Sequence, residues 1–345
     1  MAKRSFNKKA KTLQPAVMKL NFQLPGNTTG YVGLSNATSR LNRRFMRQGL
    51  NWAVANVKIT SLPALDNAVG SQCYVSSIPH TWVTANAWMK SFSMWKKQQD
   101  EAVDAAGAES IVARFRDFKI VMDGTQGLNE TGLLTPVGIG PGDFVGPAGS
   151  GPLEVYSSAK ASEEWLSSQI VIPNHDVDQV TGIALPAEEV YLQMLGGVAG
   201  LTPGDDRVGM IMGYAQSRSR PQSPDPIGPA ANLGWMSEMF DVGADSSVVL
   251  DNAEYRNNEL PYDADEYPGT GFNMQIPEVQ GYSHNQSTTG INTFNTGPFT
   301  APCGLIRFDF KNQNTAGTLP QYNYITVTLV PGTHRGYLAE TMEEF

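Results

Sequence analysis

Residues 16–24, AVMKLNFQL, space Leu20, Phe22 and Leu24 two apart after a less regular start at Val17 and Met18, and Pro25-Gly26 stops the run. Alternation of this length with a turn behind it is the pattern of a half-buried β-strand. Seven more stretches follow the same pattern, at 51–60 (NWAVANVKIT), 113–122 (ARFRDFKIVM), 165–173 (WLSSQIVIP), 188–195 (EEVYLQML), 207–215 (RVGMIMGYA), 303–310 (CGLIRFDF) and 322–330 (YNYITVTLV). A weaker ninth is 72–78, QCYVSSI. Only two stretches read as helices. Residues 35–49 offer Ser35 as N-cap and Gly49 as stop, with Ala37, Leu41 and Phe45 on one face beside an arc of Arg40, Arg43, Arg44 and Arg47. Residues 81–103 repeat Trp88, Phe92 and Trp95 at helical spacing, a stripe better suited to core packing than to stacking a ligand. Many short strands and few helices predict an all-β, antiparallel sandwich or barrel rather than alternating βα units.

The connections between the strands are long. Residues 124–151 are rich in glycine, and 216–302 hold a Pro-rich run and a polar Asn/Thr/Gly run. Such loops usually carry function or partner contacts. Both are too polar to form a core of their own. The expected layout is therefore a disordered basic arm over 1–15 and one β domain over 16–345, with 216–302 as its largest insertion.

Charge divides the chain sharply. Residues 1–65 carry eleven Lys or Arg and no acid, whereas the remaining 280 residues carry 14 basic and 33 acidic side chains, for a total of −8. The first cluster is Lys3, Arg4, Lys8, Lys9 and Lys11, followed by Lys19 and then the arginines of 35–49. A basic tail on an acidic body points to a polyanionic partner. No apolar segment follows the charged start, so a secretory signal is not expected, and no apolar run approaches the ~20 residues that cross a bilayer. Cys73 and Cys303 stand alone, which argues for reduced, buried thiols.

Motifs for catalysis are missing. The Gly-rich loop GIGPGDFVGPAGSG has no lysine and opens no clear helix, so it is not a P-loop. Ser157 and Lys160 have S-x-x-K spacing without the partner motifs of acyl-enzyme families. His80, His175, His284 and His334 are isolated. The loop ELPYDADEYPG places Glu259, Asp263, Asp265 and Glu266 close together, an oxygen-rich set that suits calcium. Its spacing is not that of an EF-hand, and a solvated or interface loop is the expected reading. Neither enzymatic activity nor a cofactor is expected.

The segments LNRRFMRQGLNWAVANVKITSLP, ARFRDFKI, SQIVIPN, YAQSRSRPQSPDP, WMSEMFDVG and LPYDADEYPG resemble capsid proteins of circular Rep-encoding single-stranded DNA viruses, with environmental members the most similar. The resemblance implies an eight-stranded antiparallel jelly roll with long loop insertions and two short helices. It implies self-assembly of identical subunits, 60 to a shell, around circular single-stranded DNA, with the arm facing inward. The arm is shorter and richer in lysine than those of circovirus-like capsids, so Arg40, Arg43, Arg44 and Arg47 are expected to share the packaging. Residues 3–11 also have the density of a nuclear import signal, so the host nucleus and the virion are the expected locations, with a nuclear import receptor and a host cell receptor as further partners. Two alternatives remain open from the residues: the coat protein of a small RNA virus, and a β-sandwich binding module such as a lectin.

Overall fold

A computed structural model describes residues 16–61, 71–107, 116–128, 132–137, 165–172, 189–196, 207–218, 248, 277–285, 291–312 and 322–343. The elements are β1 (Lys19–Pro25), β2 (Thr29–Gly33), α1 (Leu34–Asn42), β3 (Leu50–Ser61), β4 (Ser71–Ser77), α2 (Trp82–Ala106), β5 (Gln169–Val171), β6 (Glu189–Gln193), β7 (Arg207–Gly209) and α3 (Met210–Arg218). They continue with β8 (Glu278–Asn285), β9 (Asn292–Asn295), β10 (Phe299–Ala301), a 3-10 turn (Pro302–Gly304), β11 (Leu305–Asn312), β12 (Tyr322–Leu329), β13 (Pro331–Gly332), β14 (Gly336–Tyr337) and β15 (Ala339–Thr341).

Two antiparallel sheets form a sandwich. The first runs β1-β12-β3-β10, with β9 and β15 also pairing with β3; the second runs β2-β11-β4-β8. Leu20, Phe22 and Leu24 of β1 all point inward, as their two-residue spacing requires. They meet Trp52, Val57 and Ile59 of β3 and Ile325 and Val327 of β12, and pack against Val32, Val75, Ile306, Phe308 and Phe310 of the opposite sheet. Full burial of each such side chain stabilises by roughly 1.5–3 kcal/mol. Between β1 and β2 the chain crosses from one sheet to the other. A Cβ on Gly30 would stand 2.7 Å from Leu24 Cδ1, so a glycine lets Leu24 close the corner.

A second core lies against the other side of the β2–β11 pair. Tyr31 and Leu305 from those strands join Trp88 and Trp95 of α2, Phe118, Ile120 and Met122, Ile170 and Leu192 of the small sheet, and Met210 and Ile211 of α3. α2 begins at Thr81, whose side chain accepts from Thr84 N at 3.2 Å, and ends at Gly107, whose φ of 60° is easy only for glycine. Asp123 ties this layer to the sandwich. Its carboxylate accepts from Tyr31 Oη at 2.6 Å, Thr125 N at 2.9 Å and Arg307 Nη1 at 2.8 Å, while Arg307 Nε reaches Asp309 at 2.8 Å. Burial alone would raise the Asp123 carboxyl, but the hydrogen bonds from Tyr31 and Thr125 and the Arg307 charge outweigh it and hold it below the usual range.

The antiparallel all-β reading holds, and several elements differ from expectation. Among the sequence candidates, 16–24, 51–60, 303–310 and 322–330 supply sandwich strands, and the weak candidate 72–78 is the full strand β4. Residues 165–173 and 188–195 instead give β5 and β6, in a separate three-stranded sheet where β6 and β7 run parallel. The stretch 207–215 is a three-residue strand that turns directly into α3, since an apolar run this short fits either period. Within 113–122, residues 116–120 form no strand; side chains satisfy their amides, as Gln48 Oε1 does for Ile120 N at 2.7 Å and Ser168 Oγ for Lys119 N at 2.9 Å. The insertion 216–302 contains β8, β9 and β10, which join both sheets. Nor are there only two short helices: α2 has 25 residues, and α3 is a third.

Candidate nucleic-acid interface

α1 ends at Asn42, well before Gly49, because Arg43 takes the left-handed conformation at φ 53°. Ser35 does not cap it: Gly33 is the N-cap, and the Ser35 hydroxyl donates to Arg47 O at 2.9 Å. Arg40 alone of the four arginines lies on the helix, half-buried, whereas Arg43, Arg44 and Arg47 are exposed on the linker 43–49. The linker folds back along α1, with Arg44 N donating to Ser39 O at 3.2 Å and Met46 N to Ser39 Oγ at 2.8 Å. Three of the four arginines therefore line a loop and not the arc of a helix.

The same loop receives the start of the described chain. Val17 N donates to Asn42 Oδ1 at 3.0 Å, and Tyr337 Oη donates to Val17 O at 2.8 Å. Asn42 Nδ2 completes the clamp by donating to Tyr337 Oη at 2.7 Å. Burial raises the Tyr337 hydroxyl above its ordinary value, and the Asn42 hydrogen bond and nearby Arg44 charge temper that rise. Lys3, Arg4, Lys8, Lys9 and Lys11 lie outside the described residues. The described chain begins at Ala16, next to Val17 and its bonds to Asn42 and Tyr337. Lys19, two residues on, is exposed at the start of β1. It belongs to the outward face of the first sheet, where register aligns Asn21, Thr326, Lys58 and Asn295 in one row.

Next to this root opens a cleft of about 400 Å³. One wall is the linker, with Phe45, Arg47 and Gly49; another is α2 with segment 116–118; the third is the turn of the β13–β14 hairpin, with His334 and Arg335. Aromatic rings form the floor. Trp88 stacks on Phe92 at 5.0 Å and meets Phe118 edge-on at 5.8 Å. A Cβ on Gly49 would fall 2.5 Å from Trp88 Cζ2, so the linker passes this ring only as glycine. Gln48 fixes the linker to the neighbouring wall with bonds of 2.9 Å to Ile120 O and 2.7 Å from Ile120 N.

Three guanidinium groups and two carboxylates set the charge of the cleft. Arg116 pairs with Asp100 at 2.7 Å, and Arg335 donates to Phe45 O. Arg47 sits close enough to Asp117 to lower its carboxyl, together with Lys119 and the Gln48 amide. Burial is the stronger effect and pushes Asp117 up to about 6. Glu343 is the second acid. Such a site can hold a phosphate by its arginines and a planar apolar group by its rings.

No family model, curated protein or solved structure matches this chain.

Of the residues marked from sequence, the structure brings together Arg43, Arg44 and Arg47 with the root of the arm. Arg116 and Arg335 join them without any such mark in the sequence, and Trp88 and Phe92, read from sequence as a core-packing stripe, supply the floor. The hairpin signal in PGTHRGY, with Pro and Gly around a basic tip, is the one hint that could have drawn attention to Arg335. Asp263, Asp265, Glu266, Ser157 and Lys160 lie outside the described residues. Among the described residues no group of three or more His, Cys, Asp or Glu is placed to hold a metal, and no helix is long and apolar enough to cross a membrane. Cys73 and Cys303 are free and buried.

Proposed function

We propose that this chain is the coat subunit of a small icosahedral virus, a jelly roll that assembles around circular single-stranded DNA. The pairing of the strands carries the reading. β1 pairs with β12, β2 with β11, β3 with β9 and β10, and β4 with β8. The first strand thus pairs with the last long one, and each later strand with the next one inward. That is how a long hairpin wraps into the double Greek key of a jelly roll, a fold common to capsids. The alternation between sheets, β1 and β3 in one, β2 and β4 in the other, follows from the same wrapping.

The distribution of charge supports the cargo. A shell has to neutralise phosphates inside while presenting a surface that does not bind nucleic acid outside, and segregated charges do both. Basic side chains on a tail hold phosphates without reading bases, which suits a genome of any sequence. The clamp at Val17 holds the start of the described chain to Asn42, next to Arg43 and Arg44, which suits a tail that shares its cargo with them. The basic tail also serves for import into the host nucleus, and identical subunits and viral DNA are the partners.

Electron microscopy of the purified full chain with circular single-stranded DNA tests this. Uniform round particles with nuclease-protected DNA are expected. Deleting residues 2–12 removes five positive charges and should flatten the salt dependence of DNA binding by at most roughly 3 to 4 units of slope, at about 0.7 per phosphate. A soluble monomer that neither assembles nor binds single strands would overturn the proposal, and preferential protection of RNA would redirect it to an RNA virus.

A further inference from the structure

We propose that the cleft beside the arm root is a pocket for one nucleotide of the packaged strand, its base among the rings of Phe45 and Phe92 and its phosphate on Arg47 and Arg335. The inference rests on the nucleic-acid reading above and adds a fixed, base-contacting site to what would otherwise be a purely electrostatic hold.

Four features of the site converge on this ligand. The volume, about 400 Å³, falls within the range of pockets that enclose small molecules. Phe45 and Phe92 are only half-buried, although Phe92 stacks with Trp88 at 5.0 Å and Trp95 at 6.0 Å and Phe45 meets Trp165 at 6.5 Å. Trp88 and Phe118 are buried in the second core, so Phe45 offers a base the more open ring. Any base has a π-face, so such rings hold bases without choosing among them. Guanidinium groups bind phosphate by paired N–H donors. Arg335 uses one nitrogen on the backbone oxygen of Phe45, which leaves it further donors and ties it to the residue whose ring would carry the base.

Placement and rigidity complete the case. The β13–β14 hairpin touches Val17 through Tyr337 and lines the cleft through Arg335, so one element links the start of the described chain to the cleft. The Gln48 bonds and the close approach of Gly49 to Trp88 hold the walls in position before any ligand arrives. The acids Asp117 and Glu343 keep the pocket from being a general polyanion trap, so a phosphate without a base gains little there.

The test compares two strands on the full chain, a dT12 oligonucleotide and a 12-mer of equal charge in which all bases are missing. Fluorescence polarisation of each gives the preference for bases. The wild type should prefer dT12 by about tenfold or more, the effect of one base–aromatic stack. Phe45→Leu and Phe92→Leu keep apolar volume while removing the rings, and they should bring the preference down to near one with particle assembly intact. Arg335→Gln should weaken binding of dT12 more than that of the abasic strand. A crosslink from a 5-iodo-deoxyuridine strand mapping to Phe45 or Phe92 reports the same contact independently of folding. If both strands bind equally and salt-dependently to the wild type, the pocket is refuted while the packaging function stands. If the leucine variants keep the preference, the base sits elsewhere and the inference fails. If neither strand binds, the proposed function itself falls.

Discussion

The substitution Asp117→Asn should stabilise the folded chain at neutral pH, although it removes a charge lying near Arg47 and Lys119. Burial pushes this carboxyl from 3.8 up to about 6, so desolvation of the charged form exceeds the help it receives from Gln48 N, Lys119 and Arg47. A folded pKa above the unfolded one means that the folded chain keeps its proton to higher pH. Asp117 therefore does no harm below about pH 4, and its ionisation erodes stability as pH rises towards 6. A difference of one pH unit between folded and unfolded pKa is worth about 1.4 kcal/mol, so the erosion is on the order of 3 kcal/mol at pH 7. The asparagine side chain cannot ionise and still offers an oxygen to the Gln48 amide. Urea unfolding of both proteins at one protein concentration, at pH 4 and pH 7, separates desolvation from pairing. The variant should match the wild type at pH 4 and exceed it at pH 7 by up to about 3 kcal/mol, with unchanged m-value. Equal stability at pH 7, or a variant that is weaker there, would show that the pairing of Asp117 with Arg47 and Lys119 outweighs its desolvation. The same substitution removes a negative charge from the cleft, so single-stranded DNA should bind it more tightly at pH 7 and with less dependence on pH.

Asp123 should behave in the opposite sense. Asp123→Ala strips Arg307, Tyr31 and Thr125 of a shared acceptor and should cost about 3–5 kcal/mol, while its depressed carboxyl makes the wild-type advantage fade as pH falls below about 4; a loss under 1 kcal/mol at pH 7 would refute the latch. Tyr337→Phe removes the hydroxyl shared by Asn42 and Val17 and should loosen the arm root by about 1–3 kcal/mol, seen as faster exchange of the Val17 amide that donates to Asn42. Unchanged protection there would mean that the clamp does not hold the root. Particles should survive reducing agent at constant pH and salt, because both cysteines are free and buried, with the Cys73 thiol pushed up to about 12. Dissociation by reductant alone would contradict that.

The sandwich was legible where burial is one-sided. β1 and β12 have apolar residues at every second position because one face meets the core and the other does not, β3 keeps that pattern on either side of one register shift, and β11 keeps it in Ile306, Phe308 and Phe310. β8 and β9 carry no such pattern: Gln280, His284, Asn292 and Asn295 are polar, and these strands are recruited by pairing with β4 and β3. β2 was hidden for the opposite reason, since the second core covers the side on which Tyr31 lies and leaves a short, glycine-flanked strand buried on both faces. At the candidate site the sequence marked the arginines of 40–47 by charge alone. It could not show that Arg43 ends the helix, because that depends on a left-handed residue whose cost the surrounding linker contacts offset. The partners Arg116 and Arg335 come from segments about 70 and 290 residues away from Phe45, and no local pattern encodes such a meeting.

The centre of each sheet is occupied by a strand made late in the chain, β12 between β1 and β3 and β11 between β2 and β4. During synthesis, then, neither sheet can acquire its middle until residues 305–329 have left the ribosome. The earlier strands have to wait with their inward faces unpaired, as Phe22 and Trp52 wait for Ile325 and Val327. A chain interrupted before that point lacks both central strands and leaves both sheets unfinished. Folding order thereby acts as a proofreading step: only a molecule translated beyond β12 can close the sandwich.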